Sequence, residues 1–295
     1  MPSKFKIHSV LLFVGLIYGA NYSIAKVIMP FYIGPFGIIF IRVIAGTLIY
    51  WTIDLLQGSE KIQYKRDYLK LAVLSVFGVA INQLMFFKGL SMTTPITASV
   101  IMTSSPITVL IVSYLVLKER ITANKLMGIV LGAIGAILLI GIDGFSLSSE
   151  SFLGNMFILV NAISFSIYLV LVKPMMLRYK AITIIKWVFT FGAIFVIPFG
   201  FEEFLLVDWR GLPNEAWMSL SYIIIGTTIL AYLLNTWALK FVNPSVVGYY
   251  IYLQPVFSTL VAISFRGDKL TVTEALYSLL IFMGVYLVSV RKSKG

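Results

Sequence analysis

Long apolar stretches follow one another along almost the whole chain. A helix needs roughly 20 apolar residues to cross the hydrocarbon core of a bilayer, and it satisfies its own backbone hydrogen bonds there. Runs such as residues 126–140 lack the alternation that strands of a transmembrane barrel show. We place ten stretches, at about residues 7–29, 34–55, 68–89, 95–117, 123–142, 153–173, 181–200, 216–239, 244–265 and 274–290. The sequence therefore predicts an all-α membrane protein with ten transmembrane helices.

The composition excludes several kinds of protein and of site. Of the 295 residues, 59% are hydrophobic and 12% are charged, whereas an ordinary soluble domain is about 25% charged. The chain has no cysteine and one histidine, His8, which excludes thiolate zinc sites, iron–sulfur clusters and histidine metal clusters. A soluble nucleic-acid-binding protein would cluster its basic residues on polar elements, but long apolar runs separate them here. We therefore predict no cofactor, no metal and no nucleic-acid partner.

The basic residues are distributed unequally between the connecting segments. If the N-terminus lies inside, cytoplasmic segments hold 16 of the 23 Lys and Arg residues, and external segments hold 4. Such an excess is typical of cytoplasmic loops. The start of the chain also fits a signal peptide, but residues 18–20 lack a small-residue cleavage pattern, so we interpret it as an uncleaved first helix. We predict a multi-pass protein of a bacterial cytoplasmic (inner) membrane with both termini in the cytoplasm.

Two segments of the chain, residues 89–122 and 238–271, resemble each other at a spacing of 149 residues. The matched residues are Pro95 with Pro244, Pro106 with Pro255, Glu119 with Asp268, Arg120 with Lys269 and Thr122 with Thr271, and the same spacing beyond the segments pairs Gly135 with Gly284. Each half would hold five helices, and this odd number places the second half upside down in the membrane. Inverted repeats are typical of secondary transporters, whose substrates bind near the midplane where the repeats meet. We therefore predict two inverted five-helix repeats, residues 1–142 and 153–290.

Several short motifs indicate a known family. They are Gly19-Ala20-Asn21, Arg42, Pro106 with Lys118-Glu119-Arg120-Ile121-Thr122, and Pro255 with Gly267-Asp268-Lys269-Leu270-Thr271. With these motifs the chain resembles the drug/metabolite transporter superfamily, specifically proteins built from two EamA domains. The resemblance implies a ten-helix bundle around a central cavity that works by alternating access. Relatives export amino acids and other metabolites or move organic anions and sugar nucleotides, so it implies a mechanism more firmly than a substrate.

Polar side chains within the predicted spans are candidates for the lining of a substrate cavity, because polar groups in a bilayer usually face the bundle interior. Arg42 and Lys186 are the strongest candidates, since their charges fit a carboxylate or a phosphate. Each could instead extend to its nearer interface or cap a neighbouring helix, and extension to the interface is favoured for Lys26. The candidates are Asn21, Arg42, Asn82, Gln83, Thr103, Ser105, Tyr168, Lys186, Asn235, Tyr252 and Gln254, with Asn161 and Ser164 as further polar residues of the spans.

Two prolines and a glycine face bear on motion and assembly. Pro106 and Pro255 lie midway along the fourth and ninth predicted helices, where a proline removes a backbone hydrogen bond and kinks the helix. The kinks are either points of flexing during transport, which the duplicated placement favours, or fixed bends. Gly128, Gly132 and Gly135 form a small-residue face that packs either within the chain or against a second copy. The sequence is compatible with both a monomer and a homodimer.

The predicted function is that of a secondary transporter that exports a small organic metabolite, such as an amino acid or other carboxylate. Its partners are then this substrate and the lipid bilayer. No predicted span carries Asp or Glu at mid-depth, which favours facilitated diffusion or exchange over proton coupling. A channel or a non-transporting receptor is the main alternative. A membrane-embedded lipid-modifying enzyme is less favoured, because the only paired acids, Glu202-Glu203, lie in a predicted external loop without a histidine.

Overall fold

The computed structural model describes residues 2–140, 149–266 and 272–289. These residues form helices with short connections, and none of them lies in a β-strand, which confirms the predicted all-helical class. We number ten helices among them and use the letters a and b for the two pieces of an interrupted helix. They are α1 (Lys4–Ile28), α2 (Pro35–Leu56), α3 (Lys65–Met92), α4a (Pro95–Met102), α4b (Ser105–Leu117), α5 (Ala123–Ile140), α6 (Ser149–Met176), α7 (Ala181–Leu205), α8 (Asn214–Ala238), α9a (Pro244–Tyr249), α9b (Leu253–Arg266) and α10 (Val272–Ser289).

Six of these helices are long and apolar enough to cross a membrane, namely α1, α2, α3, α6, α7 and α8. Large apolar side chains stay exposed on them, such as Leu55 at 66% and Ile194 at 60%. A soluble protein rarely leaves extensive apolar surface in contact with water. Lipid is therefore the solvent that fits the outer surface of the bundle.

Both predicted proline kinks lie at helix interruptions. The fourth helix breaks in a turn at residues 103–104, so that Pro106 is the second residue of α4b. The ninth helix passes through a 3-10 segment, Tyr250–Tyr252, and Pro255 is the third residue of α9b. A proline is tolerated in the first turn of a helix, where an N–H group would have no partner within that helix. The interruptions therefore begin just before each proline.

Two other helices contain π-helical segments, in which the backbone bonds reach one residue further than in an α-helix. These segments are Val76–Ala80 in α3 and Ile223–Leu230 in α8. They are not among the features predicted from the sequence. Segments of this kind are rare and occur frequently at functional sites.

The helices pack in pairs that connect the first five with the last five. Helix α2 packs along α7, and α5 packs along α10. Helix α1 packs against α8 and α9b, while α6 packs against α3 and α4b. When α1–α5 are exchanged with α6–α10, the pairs α2–α7 and α5–α10 map onto themselves, and the two pairs of α1 become the two pairs of α6.

Glycines bring α5 and α10 into backbone contact. A Cβ atom on Gly284 would lie 2.7 Å from the Gly128 carbonyl oxygen and 2.8 Å from the Gly132 nitrogen. A Cβ atom on Gly135 would lie 2.8 Å from Cγ1 of Ile281. The glycine face predicted on the fifth helix therefore packs within this chain.

This contact predicts a stability effect. We expect Gly284→Ala to lower the midpoint of thermal unfolding in detergent, because the new Cβ must push the two helix backbones apart. Overpacking of this kind costs about 1–3 kcal/mol. Gly226→Ala is the matched control, since a Cβ there meets nothing closer than 3.5 Å. Equal midpoints for the two variants would contradict the close approach of α5 and α10.

Candidate functional site

A cavity lies near the middle of the bundle, between α1, α2, α3, α4a, α6, α8 and α9b. We call it the central cavity. Its volume is about 60 Å³, which is room for several water molecules or for a small polar group. Five of the predicted residues line it, namely Asn21, Arg42, Asn82, Gln83 and Gln254, and so does the further polar residue Asn161.

Three other predicted residues lie outside the central cavity. Asn235 lines a smaller space of about 10 Å³, which shares Tyr18 and Gln254 with the central cavity. Thr103 lies in the turn between α4a and α4b, and Ser105 is the buried first residue of α4b. Asn235 therefore lies next to the central cavity.

Tyr168 and Tyr252 are buried against glycines rather than in the cavity lining. The ring of Tyr168 lies directly over Gly78, and a Cβ on Gly132 would be 2.7 Å from the Tyr252 ring. Neither hydroxyl group has a hydrogen-bond partner among the residues that the structure describes. Their main contribution here is to fill the space between helices.

Arg42 is a buried cation in the wall of the central cavity. Its side chain is 4% exposed, and its Nε donates a hydrogen bond to Thr228 Oγ1 at 2.9 Å. The guanidinium carbon lies 5.0 Å from the ring centroid of Phe87. Within the described ranges, no carboxylate forms an ion pair with it. A charge at this depth is costly unless an anion or a polar group compensates it.

Three amide oxygens of the cavity lining also have no partner in the described part of the chain. They are Asn21 Oδ1, Gln83 Oε1 and Asn161 Oδ1. A buried acceptor without a donor costs about 1–3 kcal/mol. The central cavity therefore combines a cation with three hydrogen-bond acceptors that lack a donor among the described residues.

A hydrogen-bond network holds this lining in place. Asn161 Nδ2 donates to the Asn82 carbonyl oxygen at 2.6 Å, which joins α6 to α3. Tyr22 donates to Gln254 Oε1 at 2.9 Å, which joins α1 to α9b. Both contacts join the first half of the chain to the second half. The shape of the cavity therefore depends on how the two halves are positioned relative to each other.

Gln83 and Tyr232 lie just after the two π-helical segments and join the helices that contain them. Gln83 Nε2 donates to the Tyr232 hydroxyl oxygen at 2.9 Å, and that hydroxyl donates to the Gly78 carbonyl oxygen at 2.7 Å. Tyr50 donates likewise to the Thr228 carbonyl oxygen in the π-helical segment of α8. Side chains thus satisfy backbone acceptors of both π-helical segments beside the cavity.

Seven residues of the lining are not among the candidates predicted from the sequence. Five of the missed residues are aromatic, and nothing in a chain so rich in aromatic residues ranks one above another. Tyr232 is different, because it follows Gln83 by 149 residues. A shift of 149 residues from Gln83, the spacing of the repeat, leads to Tyr232. The missed residues are Tyr18, Tyr22, Phe86, Met102, Phe165, Thr227 and Tyr232.

Lys186 lies in a separate buried cluster between α7 and the end of α2. Its Nζ forms an ion pair and a hydrogen bond with Asp54 Oδ2, and both side chains are at most 3% exposed. Ser59 Oγ also donates to this oxygen, at 2.5 Å. The ammonium group lies 4.4 Å from the ring centroid of Trp51. The structure therefore gives Lys186 a carboxylate partner of its own, away from the central cavity lining.

Two further lysines cap the ends of helices. Lys26 Nζ donates to the Ser91 carbonyl oxygen at 3.4 Å, at the end of α3. Lys173 Nζ donates to the Val242 carbonyl oxygen at 2.8 Å, just after α8. Cations at this position interact favourably with the free carbonyl groups of a helix end. The extension to the interface favoured for Lys26 stays a prediction, and the contact observed is this hydrogen bond at the end of α3.

The comparison with family models matches the chain twice to the EamA-like transporter family, over residues 6–141 and 152–290. The chain belongs to the EamA-like transporter family. This confirms the resemblance to two-EamA-domain proteins. As an EamA-like protein it is an integral, multi-pass membrane protein of a transporter family and not an enzyme, so the lipid-modifying alternative is dropped.

Relatives of this EamA-like chain also carry the name of transporters. An uncharacterized transporter of Archaeoglobus fulgidus is 26% identical over 293 residues, which cover 97% of this chain and 98% of the relative. The uncharacterized transporter YyaM of Bacillus subtilis is 22% identical over 96% of this chain and 93% of its own length. The uncharacterized inner membrane transporter YicL of Salmonella typhimurium is 23% identical over 84% of this chain and 83% of its own length.

A solved structure shares the fold of this EamA-like protein. It is a crystal structure with a TM-score of 0.79 and 17% sequence identity, and the match covers 97% of both chains. At this identity the likeness concerns the arrangement of helices and leaves the substrate open.

Proposed function

We propose that this EamA-like protein is a secondary transporter that exports a small organic metabolite, such as an amino acid or other carboxylate, across a bacterial cytoplasmic membrane. The observation that carries the proposal is Arg42. This buried guanidinium lines the central cavity without a carboxylate partner among the described residues. A substrate carboxylate would supply the missing charge, and guanidinium groups bind carboxylates through two parallel hydrogen bonds.

The neighbouring amide groups favour a substrate that also donates hydrogen bonds. The oxygens of Asn21, Gln83 and Asn161 have no donor within the described part of the chain. The ammonium group of an amino acid would supply several donors beside its carboxylate. An amino acid therefore matches the lining better than a dicarboxylate, which would offer acceptors alone.

The proposed mechanism is alternating access by ten transmembrane helices arranged as two inverted five-helix repeats, over residues 1–142 and 153–290. The exchange symmetry of the helix pairs supports this arrangement. So do the α5–α10 contacts, because Gly135 meets residues 277 and 281 while Gly284 meets residues 128 and 132, which are the same pairs after a shift of 149. The charge distribution supports cytoplasmic termini.

Glu119 supplies a contact that this mechanism would have to break. Its Oε1 accepts hydrogen bonds from Ser245 Oγ at 2.5 Å, from Asn243 Nδ2 at 3.1 Å and from Lys125 Nζ. It thereby ties the end of α4b to the start of α9a. On the proposed topology these helix ends face the cytoplasm, so the contact would open whenever the cavity opens inward.

The proposed energetics are facilitated diffusion or exchange. The residues that line the central cavity include no Asp or Glu among those described. Asp54 is buried but forms its ion pair with Lys186, away from that lining. An obligatory proton relay through the cavity therefore lacks a carboxylate in this part of the chain.

A counterflow screen tests the proposal. We expect purified protein in liposomes preloaded with unlabelled metabolite to accumulate the labelled form of at least one amino acid or organic acid above empty vesicles. The panel would include matched compounds without a carboxylate as controls. Failure of the whole carboxylate panel would refute the substrate class. Single-channel conductance in a planar bilayer, far above carrier rates, would instead favour a channel.

A further inference from the structure

An apolar groove and a polar pocket meet on the outer face of the bundle, between α3 and α6. The groove has a volume of about 420 Å³ and apolar walls that include Leu69, Val73, Leu171 and Pro174. The polar pocket has a volume of about 460 Å³. Lys70 and Arg178 line both spaces. The two cations therefore stand at the junction between an apolar and a polar compartment.

A buried carboxylate holds both cations at this junction. Asp67 is 1% exposed, its Oδ1 lies 2.7 Å from Lys70 Nζ, and its Oδ2 lies 3.6 Å from Arg178 Nη1. The side chains of Lys70 and Arg178 remain 55% and 54% exposed, so they keep N–H groups for another partner. Arg66 adds a third cation to the polar pocket. Three cations against one carboxylate leave the junction positively charged.

The depth of the junction fits the headgroup region of a bilayer. Lys70 lies within the first turns of α3, and Arg178 follows the end of α6, and both helices are long and apolar enough to span a membrane. The exposed walls of the groove, such as Val73 at 42%, run from the junction along the apolar part of these helices. The cations thus lie where lipid phosphates lie, and the groove lies where acyl chains lie.

We propose that this site binds one anionic phospholipid, with its phosphate between Lys70 and Arg178 and an acyl chain in the apolar groove. Basic pockets between transmembrane helices on the cytoplasmic side are suited to anionic headgroups. The charge distribution predicts that this end of α3 and α6 is the cytoplasmic end. The polar pocket around Arg66 has room for a headgroup larger than the phosphate itself.

Native mass spectrometry of the full chain in detergent tests the proposal with three probes. These are dioleoyl-phosphatidylglycerol, dioleoyl-phosphatidylcholine and glycerol phosphate, which has the headgroup chemistry without acyl chains. We expect one phosphatidylglycerol to bind more tightly than phosphatidylcholine, and glycerol phosphate to compete weakly. Loss of each cation should weaken phosphatidylglycerol binding about fivefold, so the double variant Lys70→Gln with Arg178→Gln should lose about 25-fold.

The double variant Lys118→Gln with Arg120→Gln is the matched control, since it removes the same charge from exposed positions on the same predicted face. It should bind phosphatidylglycerol like the wild type. Arg178→Gln alone leaves the Lys70–Asp67 pair intact and serves if the double variant does not fold, with Arg178→Lys expected to restore binding. Equal affinity for the two lipids, equal losses in test and control, or full competition by glycerol phosphate would each overturn the proposal.

Discussion

Replacement of Arg42 by glutamine is expected to remove most of the substrate counterflow. Glutamine can still bond with Thr228, but it cannot pair as a cation with a carboxylate. Loss of one partner from a buried, hydrogen-bonded charge pair costs about 2 kcal/mol or more, which makes substrate binding at least about 30-fold weaker. The measurement is the substrate concentration that gives half-maximal counterflow in proteoliposomes with equal amounts of protein.

Lys88→Gln is the matched control for this experiment. Lys88 also lies near an aromatic ring, with its Nζ 5.9 Å from the ring centroid of Phe36, but it does not line the central cavity. Its counterflow should remain close to that of the wild type. Arg42→Gln should unfold at no lower temperature than the wild type, because it leaves no new charge without a partner. Unchanged counterflow in Arg42→Gln would remove Arg42 from the substrate site.

The second large effect concerns stability, at the ion pair of Lys186 and Asp54. Lys186→Met should destabilise the protein by about 3–5 kcal/mol, because it leaves a buried carboxylate without its cation. The interactions of Asp54 with Ser59 Oγ would remain, but a hydroxyl donor does not neutralise a charge. The measurement is thermal unfolding in detergent.

A double variant separates the ion pair from the fold around it. Lys186→Met with Asp54→Leu removes both charges, and replacement of a buried ion pair by apolar residues is often neutral or stabilising. We therefore expect the double variant to regain most of the stability that Lys186→Met loses. If the stability lost by the double variant equals the sum of the losses of Lys186→Met and Asp54→Leu, the two residues do not act as a unit. Loss of transport at wild-type stability would instead assign Lys186 a part in transport.

Helix positions could be predicted from the sequence because they depend on local composition. The third predicted stretch, residues 68–89, lies within α3, Lys65–Met92. The π-helical segment inside it could not be predicted, because it depends on side chains from other helices. Tyr232 of α8, for example, bonds with the Gly78 carbonyl oxygen.

The candidate site could be predicted in part, because polar residues in apolar helices are few. Asn21, Arg42 and Gln83 line the central cavity, and their contact with a substrate stays a prediction. Lys186 looked equivalent to Arg42 in the sequence, but the face that a side chain presents depends on the rotation of its helix against its neighbours. The partner of Lys186, Asp54, is far away in the chain, so its position became visible only through the packing of α2 along α7.

The contact between Gln83 and Tyr232 has a consequence for the transport cycle. These residues occupy the same position in the two halves, 149 residues apart, and yet they touch each other. On the proposed repeat, they stand on the pseudo-twofold axis, so an exchange of conformations between the halves maps their contact onto itself. The contact between Gln83 and Tyr232 is therefore expected to stay the same throughout the proposed cycle. A substitution there should alter the free energies of the proposed inward-open and outward-open states to the same degree and leave their relative populations unchanged.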